Sequence, residues 1–181
     1  GFLAESDPSC MIGQVQLMDV RDPAEAKARL RAALPALRDL AAAVHPRLAE
    51  RGGGIRTLRV RHVRYDEPDR PIEEMVILEF VLDCVDAMGA NMVNTVAEHL
   101  APHVEEITGG VVGMSILSNL ASERLSRATV QLSPESLGTE DMDGRRVAER
   151  IAAAAGGCVR AIEGSLSEAE KRMRTDGLDE A

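Results

Sequence analysis

At 181 residues the chain suffices for one domain, or one and a fraction, with a sizeable buried core. Its 45% hydrophobic and 28% charged residues read as soluble and globular. A net charge of -9 and only three aromatic side chains, Phe2, Tyr65 and Phe80, argue against the basic footprint and stacking platform of a nucleic-acid binder.

In chain order, Gly13 to Val20 alternates, with Val15 and Leu17 on one face and Gln14, Gln16 and Met18 on the other, which predicts a half-buried strand. Asp22-Pro23-Ala24-Glu25 then supplies an N-cap, a proline at the first helical position and an acidic third residue. Leu30, Leu34, Leu37, Ala41, Val44 and Leu48 continue at helical spacing to the stop at Gly52-Gly53-Gly54. Pro35 is expected to kink this helix or break it in two.

Ile55 to Tyr65 and Met75 to Cys84 are strand-like runs joined by the turn-rich segment 66–71, a hairpin pattern. A second helix is expected from about Asn91 to Ile107, burying Met92, Val96, Leu100, Val104 and Ile107 and ending at Gly109-Gly110. Val111 to Leu117 is a fourth strand. The order β-α-β-β-α-β specifies the α+β ferredoxin-like plan, an antiparallel sheet with two helices on one face. That plan hosts many activities and implies none.

Cys10, Cys84 and Cys158 form no CxxC pair, and the four histidines are too dispersed for a zinc site, so no metal is expected and the thiols read as reduced and cytoplasmic. His99 and His103 share a helix face without a third ligand, which fits a solvated surface. No signal peptide and no apolar run of membrane-spanning length is visible.

The most informative stretch is Asp86-Ala87-Met88-Gly89-Ala90-Asn91, between an apolar strand and a helix start. A strand, a glycine turn and a helix N-terminus leave backbone amides and the positive end of a helix dipole aimed at one place, which suits an anion such as a nucleotide phosphate. The string DAMGANMVNTVAE, with ITGG from Ile107 and ILSNLASERLSRA from Ile116, resembles the 3-hydroxy-3-methylglutaryl-coenzyme A (HMG-CoA) reductase family, specifically its class II branch. GFLAESDP and IGQVQL near the start extend the likeness from about Gly1 to Ala152.

The resemblance implies a ferredoxin-like small domain that binds NAD(H) or NADP(H), inserted in a larger domain carrying most catalytic groups. It divides the chain into a large-domain flank at 1–12, the small domain at 13–120, a return into the large domain at 121–152 and an unassigned, helix-patterned tail at 153–181. It implies that Asp86, Met88, Gly89, Asn91 and Asn119 line the cofactor site, and that His45 stands where NAD-preferring relatives place an acidic residue. With Arg47 nearby, His45 tolerates a 2′-phosphate, so NADPH is admissible and the coenzyme preference stays open. The basic run Arg56, Arg59, Arg61, His62 and Arg64 has two readings, phosphate steering or a charged edge strand.

The family's reaction interconverts HMG-CoA with mevalonate and coenzyme A, an isoprenoid step, in dimer-based homo-oligomers. It uses an upstream Glu, a Lys in HNKG, an Asp in GND and a late His, and none of those motifs occurs here, where the only lysines are Lys27 and Lys171. The expectation is therefore a fragment without catalytic residues of its own, inactive alone. The alternative is a non-catalytic ferredoxin-like module that binds a nucleotide or a partner protein.

Overall fold

The computed structural model describes residues 1–66, 68 and 71–156, and the backbone of 173–175. The described residues form two compact units, one of residues 6–126 with 174 and 175, the other of residues 1–5 and 127–156 with 173.

The larger unit holds β2 (Cys10–Met18), α1 (Pro23–Val44), α2 (Pro46–Glu50), β3 (Gly54–Tyr65), β4 (Glu73–Asp83), α3 (Ala90–Thr108) and β5 (Val111–Leu117). The sheet order is β5-β2-β4-β3, extended at the β3 edge by the short β7 (Met173–Thr175), and the pairings of β2 with β4, β2 with β5 and β3 with β4 are antiparallel. Apart from the short α2 and β7, this is the expected β-α-β-β-α-β succession with its hairpin.

Alternation decides which residues meet the helices. Val15 and Leu17 of β2 and Val76, Leu78, Phe80 and Leu82 of β4 join Leu30, Leu37 and Ala41 of α1 and Val93, Val96, Leu100 and Val104 of α3 in one core. Each such fully buried aliphatic side chain contributes about 1.5–3 kcal/mol relative to exposure. Phe80 of β4 pairs directly with Gly13 of β2, where an added β-carbon would sit 2.2 Å from the ring, so the aromatic takes the room that this glycine leaves.

Asp22 caps α1 as expected, its Oδ1 accepting the Glu25 N–H at 2.9 Å. Pro35 does not break the helix in two: α1 continues past it to Val44. The break falls instead at His45, at φ -128 and ψ 68, because the ring of Pro46 pushes the preceding residue out of the helical region. The first strand begins at Cys10 rather than Gly13, since Cys10 to Gly13 already pair with β4.

The basic run of β3 is matched by carboxylates of β4. Arg59 and Arg61 both bond Glu79, which is buried, and Arg56 bonds Asp83 at 2.6 Å. These cations are held against the sheet, which disfavours the phosphate-steering reading.

The other unit contains β1 (Phe2–Ser6), paired with β6 (Ser126–Val130), a 3-10 turn at Pro134–Leu137 and a helix, α4, over 144–156. The helical pattern at 153–181 lies mostly outside the described residues; within it, 153–156 end α4 and Met173–Thr175 is a strand.

Candidate functional site

β4 ends at Asp83, and α3 begins at Ala90. The connection is a tight turn, closed by the Ala87 N–H to the Cys84 carbonyl at 3.1 Å and anchored by the Cys84 N–H to the Ser9 carbonyl at 2.9 Å. Val85 occupies the left-handed region at φ 57, an unusual place for a β-branched residue. Its N–H donates to Asp83 Oδ1 at 2.9 Å, which helps to hold the strained backbone. Asp83 also accepts from Arg56, and that guanidinium first, then the Val85 N–H, keeps its carboxyl below the usual carboxylate range.

The turn places Asp86 at its exposed tip, where Oδ1 receives Arg51 Nη2 at 2.6 Å. Gly89 follows as the residue before α3, at φ 94. Its missing side chain faces inward, since an added β-carbon would lie 2.4 Å from Cys84 Sγ and 2.8 Å from Met11 Sδ. Glycine is therefore demanded by the turn and the core beneath it, and any close approach to a ligand comes from its backbone. Burial raises the pKa of the Cys84 thiol, which suits a packing group rather than a nucleophile.

The first turn of the 19-residue α3 carries no acidic residue and no capping side chain. Its leading amides and dipole thus remain available to an anion. Beside it, the corner between α1 and α2 forms a cleft of about 380 Å³ lined by Val44, His45, Pro46, Arg47, Leu48, Arg51 and Met92. His45 Nε2 lies 3.1 Å from the Met92 carbonyl, which can only accept, so this nitrogen carries a proton.

Of the residues expected at a cofactor site, Asp86, Met88, Gly89 and Asn91 share one turn and helix start, His45 walls the adjoining cleft, and Arg51 links that cleft to Asp86. Met88 and Asn91 are exposed. Asn119 is exposed beyond the end of β5 and does not line the cleft.

Sequence reasoning did not single out Arg51, Arg124, Val85 or Asn94. Arg124 donates to the carbonyls of Met88 at 2.9 Å and Ala87 at 3.4 Å, bracing the turn from the segment after β5. Asn94 Oδ1 accepts the Leu117 N–H at 2.9 Å, tying α3 to β5. Arg124 and Asn94 lie inside the quoted strings, so their motif membership was the available signal. Among the described residues, no group of three His, Cys, Asp or Glu side chains is placed to hold a metal, and no helix is long and apolar enough to cross a membrane.

A carboxylate, uncapped helix amides and three basic side chains fit a ligand with sugar hydroxyls and phosphates. A family model described as hydroxymethylglutaryl-coenzyme A reductase matches residues 1–161. The chain is 36% identical over 155 residues to the 3-hydroxy-3-methylglutaryl-coenzyme A reductase of Archaeoglobus fulgidus, covering 85% of this chain and 34% of that protein. It is 32% identical over 102 residues to the probable 3-hydroxy-3-methylglutaryl-coenzyme A reductase of Borreliella burgdorferi, covering 56% of this chain and 22% of that protein. Among solved structures, the class II reductase of Streptococcus pneumoniae bound to NADPH in open conformations matches at 36% identity and a TM-score of 0.73, over 85% of this chain and 36% of that one. The chain thus spans about a third of the length of the Archaeoglobus and Streptococcus proteins.

Proposed function

Because the chain belongs to the hydroxymethylglutaryl-coenzyme A reductase family, we propose that it forms the dinucleotide-binding region of a cytoplasmic, NAD(P)H-dependent HMG-CoA reductase. The intact enzyme interconverts HMG-CoA with mevalonate and free coenzyme A, and works as a dimer-based homo-oligomer. The observation that carries this reading is the Asp86 turn, set between an uncapped helix N-terminus and a cleft walled by His45, Arg47 and Arg51.

When bound, the reduced dinucleotide supplies the hydride. This chain's residues bind and orient it. The Asp86 carboxylate accepts from ribose hydroxyls, the first amides of α3 and the cations of the cleft balance phosphate charge, and the backbone at Met88 and Gly89 shapes the floor of the site. Asn91 in the first turn of α3 and Asn119 after β5, outside the cleft, each offer a donor and an acceptor. Acid and base groups come from elsewhere in the intact enzyme, so the contribution made here is positioning.

The test is to supply the full-length protein with HMG-CoA and either coenzyme, following reduced nicotinamide and free thiol together. Oxidation of two coenzymes per thiol released is the expected result. Absence of coenzyme oxidation with both NADPH and NADH would overturn the reading.

A further inference from the structure

Arg51 follows α2 as its cap, with its backbone N–H bonded to the Leu48 carbonyl at 3.2 Å, so the root of the side chain is fixed. The side chain itself is 58% exposed and reaches across the cleft mouth to Asp86, which is 72% exposed. A single cation therefore belongs to two features at once, the wall of the His45 cleft and the tip of the Asp86 turn.

Such an arrangement has a consequence for any ligand that needs Asp86. While Arg51 holds the carboxylate, one oxygen is already engaged and the charge that would accept from a ribose hydroxyl is partly spent. Solvent-exposed pairs of this kind contribute little, so the contact is easily exchanged. A phosphate monoester, carrying close to two negative charges and three acceptor oxygens, competes for a guanidinium better than one carboxylate does. Arg47 on the same cleft wall adds positive charge near that position.

We propose that Arg51 is a coenzyme-discriminating residue that changes partners. In the free protein it is bound by Asp86; when a dinucleotide bearing a ribose 2′-phosphate enters, the guanidinium passes to that phosphate and releases Asp86 to the sugar. NADPH supplies the group that draws Arg51 away. NADH lacks it, must displace the pair unaided, and binds more weakly. The inference rests on the dinucleotide reading above and adds to it the preferred coenzyme and the residue that selects it.

The experiment is a fluorescence titration of the full-length protein and its Arg51→Ala and Arg51→Lys variants with NADPH and with NADH. The unmodified protein is expected to prefer NADPH. Arg51→Ala should weaken NADPH by about tenfold or more, the worth of one charge-assisted contact. It should leave NADH unchanged or tighten it by up to about fivefold, the worth of an exposed pair removed. Arg51→Lys, which keeps the charge without the planar fork, should fall between. The thermal midpoint, measured alongside, should stay near that of the unmodified protein. If both coenzymes bind the unmodified protein equally, or if Arg51→Ala leaves their ratio unchanged, the partner exchange is wrong while the dinucleotide site stands. If neither coenzyme binds, the site reading falls and takes this inference with it.

Discussion

The sulfur of Cys84 occupies the space that a side chain at Gly89 would need, only 2.4 Å from the position of an added β-carbon. The glycine also sits at φ 94, so any other residue meets backbone strain and a packed sulfur together. The turn that carries Asp86 is thus built against the core, and its shape is set from beneath.

Gly89→Ala is accordingly expected to destabilise the protein by about 2–4 kcal/mol, combining the cost of a left-handed non-glycine residue with that of overpacking. Denaturant unfolding of the full-length protein measures it. A loss under about 0.5 kcal/mol would show that the turn adapts freely.

Arg124→Ala removes two hydrogen bonds to the carbonyls of Met88 and Ala87. Neither acceptor is deeply buried, so the expected loss of stability is no more than about 1 kcal/mol. Coenzyme affinity should fall more noticeably, by about three- to tenfold, because the turn presenting Asp86 loses its brace. Equal coenzyme affinity in the variant would make the contact structural decoration.

Asn94→Ala leaves the partly buried Leu117 N–H without its acceptor. The expected cost is about 1–2 kcal/mol. Amide exchange at Leu117 should accelerate in the variant, and an unchanged rate would contradict the assigned role.

Asp83→Asn tests the electrostatics under the turn. Arg56 lowers the folded pKa of Asp83 beneath its unfolded value, so the unfolded chain takes up the proton first as pH falls. The stabilisation is fully present above the unfolded value of about 4 and disappears as pH drops through the lower folded value. The unmodified protein should therefore exceed Asp83→Asn in stability at neutral pH, and the gap should close in acid. A gap that is constant with pH would remove the charge from the explanation.

Much of this fold is legible in the chain itself. The cap-proline-acid start at Asp22 specifies where α1 begins, and the alternation of Val15 and Leu17 specifies the buried face of β2. Pro35 has no amide to donate, yet α1 runs through it to Val44, carried by the turns on either side. The consequential proline is Pro46, which ends α1 by constraining His45. Gly13 reads as a strand boundary, yet it lies within the strand as a partner to Phe80.

The site is legible as a string and not as a network. Asp86, Gly89 and Asn91 stand out because strand, turn and helix start are contiguous in sequence. Arg51 and Arg124 reach that turn across 35 and 36 residues of chain, and their roles emerge only when β4, α2 and the segment after β5 are brought together. Val85 offers no signal, since its strain is a property of backbone angle rather than residue type.

The most direct test of the central claim is a titration of the full-length protein with NADPH, before and after Asp86→Ala. Asp86 is exposed and its ion pair is weak, so the variant should keep its thermal midpoint. The account expects saturable binding by the unmodified protein and a loss of about tenfold or more in affinity on removing the carboxylate. Binding that is indifferent to Asp86, or no binding at all, would contradict it.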